Sequence, residues 1–241
     1  ITTGDNNTSL GYGALDANTT AGNNTAVGYA AGTALTTGIN STFVGSTSGD
    51  AQTTGNNNTA VGYGSLSADT TGGKTTAIGY AALATQNSTN SADMFNTAVG
   101  YAAGVAVTTG IQNTLIGGLA GDAISTGYDN VAVGYLALSA ATSGYDNVAV
   151  GGEALAANTG INNTAVGHKS AYTNTTGTQN SALGTYSLFA NTSGDFNTAV
   201  GYTALAANTT ADNNTAVGLA ALNTNTTGSE NTAVGTSALA A

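Results

Sequence analysis

The stretch Asn57-Asn58-Thr59-Ala60-Val61-Gly62-Tyr63 returns as Asn23-Asn24-Thr25-Ala26-Val27-Gly28-Tyr29 and, with one change at its end, as Asn213-Asn214-Thr215-Ala216-Val217-Gly218-Leu219. Anchoring each copy on its glycine gives Gly11, Gly28, Gly45, Gly62, Gly79, Gly100, Gly117, Gly134, Gly151, Gly167, Gly184, Gly201, Gly218 and Gly235. Eleven of the thirteen intervals are 17 residues, one is 21 (Gly79 to Gly100) and one is 16 (Gly151 to Gly167). A fixed short period marks a stacked-repeat architecture. The consensus G-Y-x-A-L-x-A-N-T-T-G-x-x-N-T-A-V runs from end to end, which predicts a single tandem array over 1–241 with a loop insertion near 86–95 (Gln86 to Phe95).

Seventeen residues are too few for a strand-plus-helix coil, which needs roughly 20 or more. A strand of about five residues, a turn, a second short strand and the Thr-Thr-Gly turn use the whole unit. The expected fold is therefore all-β, a parallel β-solenoid (β-roll) of about fourteen 17-residue coils. Coils stacked at about 4.8 Å make a rod of roughly 65 Å.

The columns of the array carry the packing argument. The residue before the anchor glycine is always Val, Ile or Leu, and two residues earlier stand eleven Thr, Ser181, Val131 and Val148. These β-branched types favour strands, and alternate strand residues share a face. The Thr/Val interchange predicts that Thr-x-Val points into the coil. The intervening column holds eleven Ala with Ser9, Phe43 and Leu115; it is expected to point outward and to pack against another copy, as in a homotrimer or bundled fibre. Four residues after the anchor the usual Leu is replaced by Gly32, Gly49, Gly104 and Gly121, and an aliphatic returns three positions later at Leu35, Val107 and Ile124. Such compensation is what close packing demands. The Asn column (twelve Asn, with Ser41 and Thr75 departing) is read as a coil-to-coil ladder at a turn that tolerates left-handed backbone, binding no ligand. Seven Tyr follow anchor glycines, at 12, 29, 63, 80, 101, 135 and 202; stacking for stability is the preferred reading, sugar or base binding the rival.

Composition narrows the function. Charged residues are 6% of the chain, against roughly a quarter in ordinary domains. Lys74 and Lys169 are the only basic residues beside twelve acidic ones, and the net charge is -10. Nucleic acid and anionic lipid are therefore unsuitable partners. There is no Cys, no Pro and no Trp, so disulfides and thiolate chemistry are excluded. No apolar run reaches the ~20 residues of a membrane span. The chain begins at Ile1 rather than Met and neither end carries a capping segment, which suggests an excerpted or processed shaft, or copies joined end to end.

Catalytic chemistry is sparse. His168 is the one histidine, stands beside Lys169 in the tyrosine column, and reads as a surface substitution. No paired carboxylates of the kind glycoside cleavage needs are arranged by the pattern. Adjacent coils do align Asp129 with Asp146 and Asp195 with Asp212, just before the Asn column. Two carboxylates with turn carbonyls are a donor set suited to Ca²⁺; the plainer reading is a solvated acidic edge. No cofactor is required. Asn-x-Thr/Ser triplets such as those at Asn18, Asn174, Asn208 and Asn225 admit glycosylation without indicating it.

The segments Asp129-Asn130-Val131-Ala132-Val133-Gly134 and Asp146-Asn147-Val148-Ala149-Val150-Gly151 resemble the N-S-V-A-I-G repeats of trimeric autotransporter adhesin head domains. The wider N-T-A-V-G…A-L…N-T-T-G pattern is similar to repeats of bacteriophage tail fibres and bacterial surface fibres. The adhesin resemblance implies a left-handed parallel β-roll, trimeric and on the cell surface. The unit here is longer than the adhesin repeat.

These readings converge on a non-enzymatic, extracellular, secreted or surface-attached structural protein, a solenoid that self-assembles into a fibre or shaft for attachment or biofilm. Its expected partner is itself, as a homo-oligomer, trimer or end-to-end filament. The alternative is an adhesin head or phage receptor-binding module for a cell-surface or glycan receptor, with contacts concentrated at Gln86 to Phe95. Ice binding by Thr ladders is a remote third, set low because the Thr column is expected to face inward.

Overall fold

Each repeat contributes one strand of three residues, and these strands stack in parallel as a β-solenoid. The structure, a computed structural model, describes residues 4–88, 90 and 92–240. The chain divides into two compact units, Ile1–Gly127 and Tyr128–Ala241. The first holds β1 (Thr8–Leu10), β2 (Thr25–Val27), β3 (Thr42–Val44), β4 (Thr59–Val61), β5 (Thr76–Ile78), β6 (Thr97–Val99) and β7 (Thr114–Ile116). The second holds β8 (Val131–Val133), β9 (Val148–Val150), β10 (Thr164–Val166), β11 (Ser181–Leu183), β12 (Thr198–Val200), β13 (Thr215–Val217) and β14 (Thr232–Val234). Within each unit consecutive strands pair in register, so Thr59, Ala60 and Val61 lie opposite Thr76, Ala77 and Ile78. The irregular intervals do not shift this register: Thr76 still meets Thr97 across the long one, and Val148 meets Thr164 across the short one. No helix occurs among the described residues, and none is long and apolar enough to cross a membrane.

The second strand expected in each coil is absent. After the anchor glycine the chain makes two consecutive turns, closed for example by the Ser65 N–H donating to the Gly62 carbonyl and the Asn18 N–H donating to that of Leu15. Residues two and four after the anchor are left-handed, as at Leu136 (φ 54) and Leu138 (φ 55), which rules out extended backbone there. Left-handed backbone costs an L-residue roughly 1–2 kcal/mol. Bonds to adjacent coils hold it: the Leu138 N–H donates to the Ala154 carbonyl at 3.0 Å, and the Glu153 N–H donates to that of Tyr135 at 2.8 Å. The anchor itself must be glycine. At Gly28 (φ 142) an added Cβ would lie 2.5 Å from the carbonyl oxygen of Gly45.

The faces of the strand are the reverse of those expected. Ala60, Ala77, Ala132 and Ala149 are fully buried, as are Phe43 and Leu115 in the same column, whereas the flanking Thr and Val are half-buried or exposed. Ala points into the coil and Thr-x-Val points out. The reason is width. The interior must also hold the left-handed leucines Leu66, Leu83, Leu138, Leu155, Leu188 and Leu205, which are fully buried, and this leaves room only for a methyl on the strand side. Thr and Val interchange because both cover an outer β-surface equally well.

Phe43 and Leu115 show how tightly the space is allotted. A Cβ on Gly32 would lie 2.7 Å from the Phe43 ring, and one on Gly49 would overlap that ring. A Cβ on Gly104 or Gly121 would lie 2.6 Å from a Leu115 methyl. Each bulky residue in the alanine column therefore fills the volume left by two missing leucines, in its own coil and the preceding one. Leu35, Val107 and Ile124 complete the filling and are fully buried.

Two asparagine columns line the interior. In the expected one, each amide ties a coil to the next through the backbone. Asn197 Nδ2 donates to the Ala211 carbonyl (2.8 Å), and Asn197 Oδ1 accepts the Asn214 N–H (3.0 Å). Where Asn is lost, a hydroxyl substitutes: Ser41 Oγ accepts the Asn58 N–H at 3.2 Å. The left-handed turn residue is not this Asn but the one before it, such as Asn57 (φ 58) or Asp146 (φ 55). The Asn of the Asn-Thr-Thr turn forms the amide-to-amide ladder, with Asn174, Asn191 and Asn208 each donating Nδ2 to Oδ1 of the preceding coil at 2.7, 2.6 and 2.9 Å. Ser41, Asn174, Asn191, Asn197 and Asn208 are buried, so each unmade bond there would cost about 1–3 kcal/mol.

The inserted segment has its own polar core. Asp69, fully buried in place of a ladder Asn, accepts the Gly72 N–H (2.9 Å), the Ser88 N–H (3.2 Å) and Gln86 Nε2 (2.7 Å). Gln86 also donates to Thr75 Oγ1 and accepts from Asn96 Nδ2. Outside, Lys74 pairs with Asp93 at 2.7 Å and lies over the Phe95 ring. Thr89 and Ser91 of this segment lie outside the described residues.

Candidate functional site

Because Thr-x-Val turns outward, the solenoid carries a face of Thr and Val, Ile or Leu columns. Ile78, Ile116 and Leu183 are exposed on it. None of the fourteen charged side chains belongs to these columns; they sit in the turns, in the inserted segment or, at Asp69, in the interior. The argument that lowered ice binding is thereby removed, since the Thr column faces solvent.

Beside it runs the tyrosine column. Tyr12 and Tyr29 stack at 5.6 Å between centroids, Tyr63 and Tyr80 at 5.5 Å, and Tyr80 and Tyr101 at 5.2 Å, each within 11° of parallel. The rings are half exposed or more. In the second unit His168 meets Tyr186 edge-on at 5.6 Å. Lys169 pairs with Glu153 at 3.5 Å and lies over Tyr172.

The four aspartates separate into two columns. Asp129 and Asp146 occupy the left-handed position directly before the Asn ladder and are exposed. Beside them Tyr128 and Tyr145 stack at 4.8 Å. Desolvation, then Tyr145 and the two carboxylates, push the Tyr128 phenol above its usual range. Asp195 and Asp212 stand one residue earlier in their coils. Asp195 Oδ1 accepts the Thr178 N–H (2.7 Å) and Asp212 Oδ1 accepts the Asp195 N–H (2.8 Å). Their carboxylates thus cap the backbone of the preceding coil, as Asn56 does for Ile39. Among the described residues no group of three or more His, Cys, Asp or Glu is placed to hold a metal. Near the inserted segment a cavity of about 250 Å³ is lined by Ser88, Asn90, Ala92, Met94, Thr109 and Ile111.

Sequence reasoning did not single out Asp50 and Asp122. Burial pushes both carboxyls above the usual carboxylate range, against the pull of backbone hydrogen bonds from their own amides and those of Ala51 and Ala123. Oδ1 of each is buried without a partner. A carboxyl whose folded pKa is raised contributes stability that is complete below the unfolded value near 3.8 and lost as pH rises through the folded one. Asp50→Asn and Asp122→Asn are therefore expected to raise Tm at neutral pH and to change it little near pH ~3. Thermal melts at the two pH values check this, and a lowered Tm at neutral pH would contradict it.

Comparison with family models, with curated proteins and with solved structures returns no match.

Proposed function

We propose that this chain is a non-enzymatic structural protein of the cell exterior, and that copies of it associate side by side through the Thr-x-Val face into a multi-chain shaft used in attachment. The observation that carries this reading is the distribution of charge. A chain of net charge -10 repels its own kind. Within each unit the outer strand face carries none of that charge, and it is lined by aliphatic columns that stay in register from coil to coil. A continuous exposed apolar strip marks an association surface. The interface that the sequence assigned to alanine is thus reassigned to Thr and Val, the alanines being inside. Among the described residues the one histidine packs against a tyrosine, and Asp195 and Asp212 are engaged by backbone amides.

Electron microscopy of the purified chain in neutral buffer, with and without a calcium chelator, tests the assembly. The expected result is elongated multi-chain particles that survive chelation, since Asp195 and Asp212 already have backbone partners. Isolated single solenoids in both buffers would reject the reading. Particles that fall apart on chelation would instead make Asp129, Asp146, Asp195 and Asp212 calcium ligands.

A further inference from the structure

Two coils of the first unit lack the ladder tyrosine, at Ser46 and Gly118, and the one at Ser46 lies between two tyrosine stacks. Tyr12 and Tyr29 form one stack, and Tyr63, Tyr80 and Tyr101 form another. The coil between them carries Ser46 in the same column. The outer face of Tyr29 and the facing side of Tyr63 are therefore uncovered, across a gap of two strand spacings, roughly 10 Å. Between Tyr63 and Tyr101 that interval holds one more ring, Tyr80, at 5.5 and 5.2 Å from its neighbours. We propose that the slot between Tyr29 and Tyr63, floored by Ser46, binds a six-membered ring of a neutral saccharide.

Three observations select that occupant. Tyr29 and Tyr63 are 59% and 58% exposed, so a ring enters from solvent without moving the backbone. The floor is polar: among the described residues Ser46 Oγ has no hydrogen-bond partner, and the neighbouring Thr47 hydroxyl donates to the Ser46 carbonyl at 2.8 Å. No charged side chain occupies the column or its immediate neighbours Val44, Gly45 and Thr47. A nucleotide would bring phosphate to a chain of net charge -10, and it is excluded on that ground. A saturated ring, thicker than an aromatic one, fills a two-coil gap and presents C–H groups to both tyrosine faces while its hydroxyls meet Ser46 and Thr47. The slot lies outside the Thr-x-Val face, so it binds or fails to bind independently of the assembly.

Immobilised neutral polysaccharides (dextran, mannan and galactan) are the probes. The native chain is expected to be retained by at least one of them. Ser46→Tyr completes the ladder with the residue its column already accepts, and should weaken retention by about tenfold or more. Ser46→Ala leaves the slot open and should retain binding within about threefold. Circular dichroism and sedimentation, unchanged in both variants, separate loss of the slot from loss of fold or assembly. The proposal is overturned if the native chain binds none of the three, if Ser46→Tyr binds as the native chain does, or if Ser46→Ala abolishes binding. A changed oligomer mass in Ser46→Tyr also overturns it, because the slot would then belong to a ring of a second copy.

Discussion

Replacing Phe43 by Ala is expected to destabilise the first unit by about 3–5 kcal/mol, the range for a buried aromatic ring truncated to alanine. The ring lies in the alanine column between Gly32 and Gly49, where the usual leucines are missing. Stacked repeats open locally. Amide exchange should therefore quicken from β2 to β4 and remain unchanged at β6. A double-mutant cycle sharpens the test. Gly32→Ala should be costly in the native chain, where the new Cβ meets the ring at 2.7 Å, and less costly beside Phe43→Ala. A change below about 0.5 kcal/mol, the range of surface substitutions, would mean that Phe43 is not in the core.

Asn197→Ala is the second large effect. It removes the acceptor of both the Asn214 N–H and Asn214 Nδ2 inside the coil, while the Ala211 carbonyl keeps Asn208 Nδ2 as a donor. At about 1–3 kcal/mol for each buried group, the expected loss is roughly 2–6 kcal/mol. Asn197→Ser should cost less, because a serine hydroxyl already accepts the equivalent amide at Ser41. Chemical denaturation gives the magnitude, and exchange of the Asn214 amide gives the place. Equal stability of the Ala and Ser variants would show that the ladder couples the coils by shape rather than by hydrogen bonds.

The period alone determined the coil, its parallel stacking and its register, because one strand per 17 residues returns to the same place only by circling. Which face points inward was not legible. Thr, Ala and Val are all small or apolar, so the strand lacks the polar–apolar alternation that normally assigns its faces. The deciding signal was present but indirect. Phe43 and Leu115, the two bulky members of the alanine column, occur only where Gly32 and Gly49 or Gly104 and Gly121 remove the leucines. A volume exchange between two columns means that both share one interior. The paired left-handed turns were illegible because Ala, Leu, Glu and Tyr occupy them, at Ala81, Leu83, Glu153 and Tyr186, without the Gly or Asn that usually marks such backbone. Of the candidate site, the alignment of Asp129 with Asp146 and of Asp195 with Asp212 was readable. That the second pair caps backbone amides depended on turn geometry and was not.

The outward direction of Thr-x-Val and its use in assembly come together in one measurement, sedimentation equilibrium of the native chain beside a Val44→Lys, Val61→Lys, Ile78→Lys variant. The native chain is predicted to sediment as an oligomer. The variant, its fold checked by circular dichroism, is predicted to sediment as a monomer, because three charges then stand on the strip that joins the copies. A monomeric native chain, or a variant that stays oligomeric, would contradict the account. A variant that no longer folds would contradict it more deeply, by placing these side chains inside the coil.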